Sequence, residues 1–251
     1  MLISIITASY NSEKTIGKTI NSILNQSSSN FEYIIIDGNS KDNTLSIIEK
    51  HEKDFIKKGI RFKWVSEPDK GIYDAWNKGI SYAKGNWIGF LGSDDVYYPD
   101  ALEKYENILK SHPNIDYVSS KVRLVNKGKL LRIISGKWQW KIFKHYMNVA
   151  HVGSLHSANY YKKYGIYNTK YKIAGDYEML LRSQDSLKYL FMDEFTAEME
   201  AGGLSNSLVK QVMLETRLAK NKSGKVNIII ANMDFVIAFL KIKIKKILKF
   251  V

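Results

Sequence analysis

Residues 86–99 read NWIGFLGSDDVYYP, a short apolar run that passes directly into two adjacent carboxylates. Trp87 to Leu91 is a bulky segment of the kind a sheet buries on both faces, and Gly92-Ser93-Asp94-Asp95 breaks it. Pro99 suits the first position of a following helix, because its φ is fixed and it lacks an N–H that a helix start leaves unpaired. Ligands of open α/β sheets bind beyond the carboxyl ends of the strands, so an acidic pair at such an end is placed to meet one. Successive extended residues point to opposite sides, which gives Asp94 and Asp95 different tasks. One can hold a hydroxylated ligand while the other meets a divalent cation, for which carboxylate oxygen is a natural hard ligand. The plain alternative for Ser-Asp-Asp is turn and helix-entry chemistry.

Upstream of this stretch the chain repeats one pattern. Leu2 to Ser9 reads as a buried first strand, followed by Tyr10-Asn11-Ser12 as a turn with a helix cap. Ile16, Ile20, Ile23 and Leu24 then recur at helical spacing. A second strand, Phe31 to Ile36, ends in the polar loop Asp37 to Thr44, and Leu45, Ile47 and Ile48 mark the next helix. Arg61 to Val65 makes a third strand, and Ile72, Ala75, Trp76, Ile80 and Ala83 form a helical stripe. This alternation predicts an α/β domain with a doubly wound, mainly parallel sheet whose polar loops gather at one edge.

Beyond Pro99 the alternation lapses. A helix through Leu109 is followed by Ile115 to Val125 and Leu130 to Ile134, joined as a hairpin at Asn126-Lys127-Gly128-Lys129. An aromatic, basic stretch covers Lys137 to Met147, and small residues surround His151 to Asn159. A helix follows at Asp176 to Arg182, then a short strand at Tyr189 to Met192. The second half is therefore expected to be α+β material built onto the sheet, leaving a site between the halves with room for two substrates.

The net charge of +13 suggests nucleic acid until it is mapped along the 251 residues. Residues 1–100 hold 12 Lys/Arg against 13 Asp/Glu, whereas residues 101–251 hold 26 against 12. Only five of the basic residues are Arg, the side chain on which base-edge readout leans, so nucleic acid is set aside as a partner. The chain has no cysteine, which removes disulfides and thiolate metal sites and suits the cytoplasm. MLISIITASYN begins as a strand, without a basic leader or small-residue cleavage site, and no signal peptide is expected there.

With SYN closing strand one, the Asp37 loop, SEPDKGIYDAWNKGI, the strand ending in SDD, and AGDYEMLLR, the chain resembles the inverting family-2 glycosyltransferases of the GT-A fold. The resemblance covers roughly residues 1–205 and implies a nucleotide-binding half at 1–100 and an acceptor half at 101–205. It implies a nucleotide-diphospho-sugar donor, commonly a UDP-sugar, with Mn²⁺ or Mg²⁺. The implied acceptor is a glycan or lipid-linked glycan in surface polysaccharide biosynthesis. By the same likeness Ala8, Ser9, Tyr10 and Asp37 hold the base and ribose, and Asp69 and Lys70 touch the nucleotide. Asp94 faces the ribose or sugar, Asp95 ligates the metal, and His151 reaches the metal or the phosphates. Asp176 is the implied general base. Inverting transfer is an in-line displacement at the anomeric carbon, so a carboxylate must take the acceptor proton while the departing diphosphate gains charge opposite. No Gln-x-x-Arg-Trp segment of the processive synthases occurs, which favours a single addition.

Each of these residues has a structural rival. Asp37 is explained equally by an Asx-type turn, Asp42 by a helix cap, and Asp69 and Lys70 by loop solvation. Asp176 alone would read as an N-cap, and His151 as a packed histidine. His156, five residues on, puts its ring on a different face, so a zinc pair is not expected. Trp138 and Trp140 fit either sugar stacking or core packing. After Gly202-Gly203, residues 206–251 read as a helical tail, with helices at Leu208 to Lys220 and from Val226 on. Ile228 to Leu240, interrupted by Asn232 and Asp234, falls short of the ~20 residues that span a bilayer. Lys241, Lys245, Lys246 and Lys249 share one side of a helical wheel, and Ile244, Ile247, Leu248 and Val251 fill the other. The expectation is a basic amphipathic helix on the inner face of the cell membrane, with packing in a homodimer as the alternative. The protein is thus expected to be a cytoplasmic, peripherally membrane-bound glycosyltransferase. A sugar nucleotidyltransferase is a rival, although Tyr10-Asn11-Ser12-Glu13-Lys14 is not the Gly-rich basic loop of those enzymes. A catalytically silent nucleotide-binding module is another.

Overall fold

The computed structural model describes residues 2–203 and 208–248, with the side chains of 245–248 left out of the description. Four strands, β1 (Ile3–Ser9), β2 (Phe31–Asp37), β3 (Arg61–Ser66) and β4 (Trp87–Phe90), lie parallel in the order β3-β2-β1-β4. Helices α1 (Ile16–Leu24), α2 (Thr44–Lys57) and α3 (Ile72–Tyr82) make the crossovers. The largely apolar central strands β1, β2 and β4 are buried on both faces, whereas β3 at the edge, with Arg61 and Lys63, is partly open. Ile3 and Ile5 of β1, with Phe31, Tyr33 and Ile35 of β2, enter one core beside α1 and α2. Ile6, Ile34 and Ile36 enter the other, beneath α3. Asn11 and Asn39, just past β1 and β2, turn the chain at φ 48° and 64°, a region asparagine tolerates better than most residues.

The remaining strands extend the sheet beyond β4. They are β5 (Val96–Tyr97), β6 (Tyr117–Asn126), β7 (Lys129–Ile134), β8 (Ser154–Ser157) and β9 (Tyr189–Glu200). The order continues β4-β8-β6-β9-β5, with β7 paired to β6. Here β8 is antiparallel to both β4 and β6 while β9 is parallel to β6, so the second half is mixed. Helices α4 (Ala101–Ser111), α5 (Trp140–Phe143), α6 (Ala158–Tyr164) and α7 (Gly175–Leu181) pack around it. The β6–β7 hairpin turns on Lys127 and Gly128 at φ 48° and 80°, as a two-residue type I′ connection requires.

Several expectations change. The strand expected at 189–192 runs on to Glu200: its register with β6 slips near Lys121, then pairing resumes from Val122↔Ala197 to Val125↔Glu200. Pro99 stands ahead of Asp100, and α4 starts at Ala101. Asn43 precedes α2, and Asp42 acts one place earlier, accepting the Thr44 N–H at 3.0 Å and its hydroxyl at 2.6 Å. Trp138 is buried against Phe143, with ring centroids 4.0 Å apart, so of its two readings the structure selects core packing.

The tail is a helical hairpin, α8 (Val209–Lys222) and α9 (Ile228–Leu248), seated on α7. Lys220 Nζ donates to Asp234 Oδ2 at 2.8 Å and to the His145 carbonyl, and His145 Nδ1 lies 3.0 Å from Asp234 Oδ1. Asp234 thus faces inward and does not interrupt α9. No helix among the described residues is long and apolar enough to cross a membrane. Of the expected basic stripe, the side chains of Lys245, Lys246, Ile247 and Leu248, and residues Lys249 and Val251 entirely, lie outside the described residues.

Candidate active site

The strand order reverses between β1 and β4, and the crevice beyond their carboxyl ends is where α/β sheets bind ligands. A cavity of about 590 Å³ opens there. Ala8, Ser9 and Tyr10 line it from the end of β1, Ser93 and Asp94 from the end of β4, and Asp69 with Tyr73 and Trp76 from the approach to α3 and α3 itself. Asp176 closes the far wall. Six residues singled out from sequence therefore meet: Ala8, Ser9, Tyr10, Asp69, Asp94 and Asp176.

A glycine shapes the acidic pair. A Cβ on Gly92 would stand 2.6 Å from Asp95 Oδ2 and 3.0 Å from Asp94 Oδ1, so only the bare backbone lets both carboxylates fold back over it. Asp95 is buried, and its Oδ1 accepts the Glu200 N–H at 2.9 Å. Burial first, then the charge of Asp94, pushes the Asp95 carboxyl up to about 7. Asp94 is exposed, yet the surrounding protein lifts its carboxyl too, with Glu200 adding to the shift. Two acids in this state are a position that a cation would relieve. Among the described residues no three His, Cys, Asp or Glu side chains group as a metal site. A pair of carboxylates still fits Mg²⁺ or Mn²⁺, because such ions are commonly held by one or two carboxylates together with substrate phosphates.

Asp37, Lys70 and Asp95 do not line the cavity, although Asp95 lies just behind Asp94. Asp37 is fully buried and spends both oxygens on protein, accepting from Ser9 Oγ at 3.1 Å, Ser66 Oγ at 2.8 Å and the Ser40 N–H at 2.8 Å. It ties the ends of β1, β2 and β3 together beneath the crevice. Asp69 Oδ1 accepts the Gly71 N–H at 2.8 Å. The Lys70 N–H donates to Asp74 Oδ2 at 3.0 Å, and its carbonyl accepts Lys172 Nζ at 2.9 Å.

Asp176 sits in the first turn of α7. Gly175 before it is pressed against Tyr73, whose ring would lie 2.7 Å from any Cβ there. The Tyr73 hydroxyl donates to the Ile173 carbonyl at 2.5 Å and lies 3.4 Å from Asp176 Oδ1. The Tyr177 N–H donates to Oδ1 at 2.8 Å, so this bond and the Tyr73 contact fall on one oxygen. Protein atoms crowd the carboxylate and burial pushes it up to about 6, while part of the residue's surface stays open. That open surface faces two ways, because Asp176 and Ile173 also line a second cavity of about 790 Å³ with Arg132, Asn148 and His151.

His151 belongs to this second cavity. Its ring stacks on Trp76 at 4.7 Å and 13°, Nε2 is 2.8 Å from the Tyr167 hydroxyl, and burial pushes its pKa down to about 3. The structure does not bring it into the cavity that holds Asp94. His156 is fully buried, 5.6 Å ring to ring from His151, and neither of its nitrogens has a partner among the described residues.

Glu215 carries no signal in the sequence. From α8 it accepts the N–H groups of Lys172, Ile173 and Ala174, each at 2.9 Å, and caps the chain just ahead of Asp176. Burial raises its pKa, but the three N–H groups outweigh that and leave it below the ordinary value. A glutamate more than thirty residues beyond the AGDYEMLLR run becomes a cap only once the tail has folded back.

Comparison with known proteins gives a consistent result. The family model described as glycosyl transferase family 2 matches residues 4–167. A PGL/p-HBAD biosynthesis glycosyltransferase of Mycobacterium bovis (strain BCG / Pasteur 1173P2) is 29% identical over 232 residues, covering 86% of each chain. The crystal structure of S. aureus TarS 1–349 in complex with UDP-GlcNAc has a TM-score of 0.70 at 18% identity, covering 94% of this chain and 70% of that one. The mannosyltransferase PcManGT from Pyrobaculum calidifontis, in complex with GDP-Man and Mn²⁺, has a TM-score of 0.65 at 14% identity, covering 93% and 69%.

Proposed function

Since the chain belongs to glycosyl transferase family 2, we propose that it transfers a single sugar, with inversion, from a UDP-sugar to a glycan acceptor in surface polysaccharide biosynthesis. The observation that carries this reading is the place of Asp176, on a wall shared by two cavities. The donor takes the cavity at the ends of β1 and β4, and the acceptor takes the other. Tyr10, 62% exposed at the donor rim, offers a free ring on which a nucleobase can stack. Ala8 and Ser9 supply the strand edge beside it. Asp37 acts beneath them by holding three strand ends in place, and Asp69 borders the same rim. The UDP-GlcNAc bound by TarS supports a UDP-linked donor.

Asp94 faces the donor's ribose or sugar. Asp95, with Asp94 beside it, would hold Mn²⁺ or Mg²⁺, which would supply positive charge against the departing diphosphate; the Mn²⁺ complex of PcManGT supports this. Asp176 accepts the acceptor hydroxyl's proton on Oδ2 while Tyr73 and the Tyr177 N–H hold Oδ1. Trp76 and Tyr73 wall the reacting region from solvent. His151, which lines the other cavity and is kept neutral by its burial, acts on the acceptor side in this reading. The basic tail and the apolar surface of α9 support a peripheral seat on the cytoplasmic face of the membrane.

Calorimetric titration with UDP, with and without Mn²⁺, tests the donor site. Wild-type protein should bind UDP more tightly with the metal, and Asp95→Ala should lose that gain. Equal metal enhancement in both proteins would remove Asp95 from the metal.

A further inference from the structure

We infer that the acceptor carries a fixed negative charge near the hydroxyl that receives the sugar, and that Arg132 selects for it. The inference rests on the reading of Asp176 as the base and of its second cavity as the acceptor site, and adds to that reading a specificity-determining residue.

Arginine is scarce in this chain, and four of its five arginines are engaged within the protein. Arg61 pairs with Glu32, Arg123 with Glu198 and Arg182 with Glu178, and Arg217 lies over the Phe235 ring. Arg132 has no carboxylate, carbonyl or ring partner among the described residues. It stands on β7 opposite Leu124 of β6, exposed on the wall of the acceptor cavity. The chain carries its surface charge almost wholly on lysine, so an arginine at this wall departs from its habit. The guanidinium differs from an ammonium in presenting a planar fork, which matches a carboxylate or a phosphate with two parallel hydrogen bonds.

The rest of the wall leaves that fork to a ligand. Asp176 is the one acid that lines the cavity, and its task there is to take a proton. An anionic acceptor entering beside Asp176 would meet only like charge were Arg132 absent. Asn148, on the same wall, gives Nδ2 to the Lys137 carbonyl at 3.0 Å and leaves a buried Oδ1 without a partner among the described residues. A bare buried acceptor is costly, and a hydroxyl donor would relieve it. Gly136, just after β7, is pressed on this residue: a Cβ there would stand 1.8 Å from the Asn148 carbonyl oxygen. The end of β7 and Asn148 are thus packed together, which puts a cation and an unused hydrogen-bond acceptor on one wall. A hexuronic acid presents a carboxylate and hydroxyls on one ring, and a sugar phosphate presents the same pairing with a longer reach. Either would be oriented by its charge, which fixes which hydroxyl meets the base.

The test is binding without turnover, followed by NMR titration of the full-length protein saturated with UDP and Mn²⁺. The probes are the methyl glycosides of glucose and galactose, those of their uronic acids, and their 6-phosphates. Wild-type protein should bind a charged probe about tenfold more tightly than its neutral parent, as a charge-assisted contact allows. Whichever of uronic acid and phosphate is preferred identifies the acceptor's anion. Arg132→Gln should bring charged and neutral probes to the same affinity. Arg132→Glu should turn the preference toward the neutral probes, an inversion that misfolding does not produce, and UDP affinity should match wild type in both variants. A wild-type protein with no preference for any charged probe would overturn the proposal, and so would a preference that survives in both variants. Undiminished turnover by Asp176→Asn, with the charge preference intact, would instead count against the base alone.

Discussion

The two oxygens of Asp176 have different neighbours, and its chemistry follows from that. Oδ1 is held by the Tyr177 N–H and faces the Tyr73 hydroxyl, which fixes the carboxylate plane and leaves Oδ2 for a substrate proton. Burial lifts the carboxyl from 3.8 to about 6, which makes it a better proton acceptor than a solvated aspartate. The base must be ionised to act, so transfer should rise with pH through about 6 and then level off. At pH 5 the rate should be about a tenth of the plateau. A profile flat from pH 5 to 8 would deny Asp176 this role. The sign for stability is the opposite: the raised pKa contributes stability in full below 3.8, and that contribution is lost as pH rises through about 6. Asp94, Asp95 and Asp176 stand out in the sequence because each sits in a polar run at an element boundary. Asp37 stands out in the same way, but its bonds to Ser9 and Ser66 could not be read there, since those partners belong to two other strands.

At the scale of elements, α7 is positioned by its neighbours more than by its own sequence. It has seven residues, and the N–H groups ahead of it are satisfied by Glu215 from α8. Glu215→Ala should free that segment and let Asp176 shift. Misplacing a catalytic group by ~1 Å can cost ~10²-fold, so kcat should fall by one to two orders of magnitude while the donor KM holds. Glu215→Gln, whose oxygen can still accept, should recover part of the loss. The pH limb assigned to Asp176 should move in the alanine variant, a response that lost stability alone would not produce. Wild-type kcat and an unmoved limb in Glu215→Ala would show that the cap does not position the base. The parallel strands were visible in sequence as largely apolar runs alternating with helical stripes, whereas the length of β9 was not. Its polar residues near Asp193 and Glu194 read as an end, and only pairing with β6 on either side of a slipped register carries the strand through.

Across the whole molecule, the alternating first half forms the parallel strands and the irregular second half the mixed ones. The parallel strands supply the crevice with Tyr10 and Asp94, and the mixed strands and α7 bring Asp176 to its opposite wall. The tail was legible as two helices, but not in how they pack. That it folds back to cap the segment ahead of α7 depends on contacts between residues some forty positions apart. The arrangement puts Asp176 on a wall shared by two cavities, just past the segment that Glu215 of the tail caps. The most direct test is UDP release by wild-type and Asp176→Asn protein from UDP-sugars, with Mn²⁺ and a solubilised lipid-linked acceptor, beside UDP affinity for each. The account predicts a loss of ~10²- to 10⁴-fold in turnover with UDP affinity unchanged. Turnover by Asp176→Asn within a few-fold of wild type would contradict it.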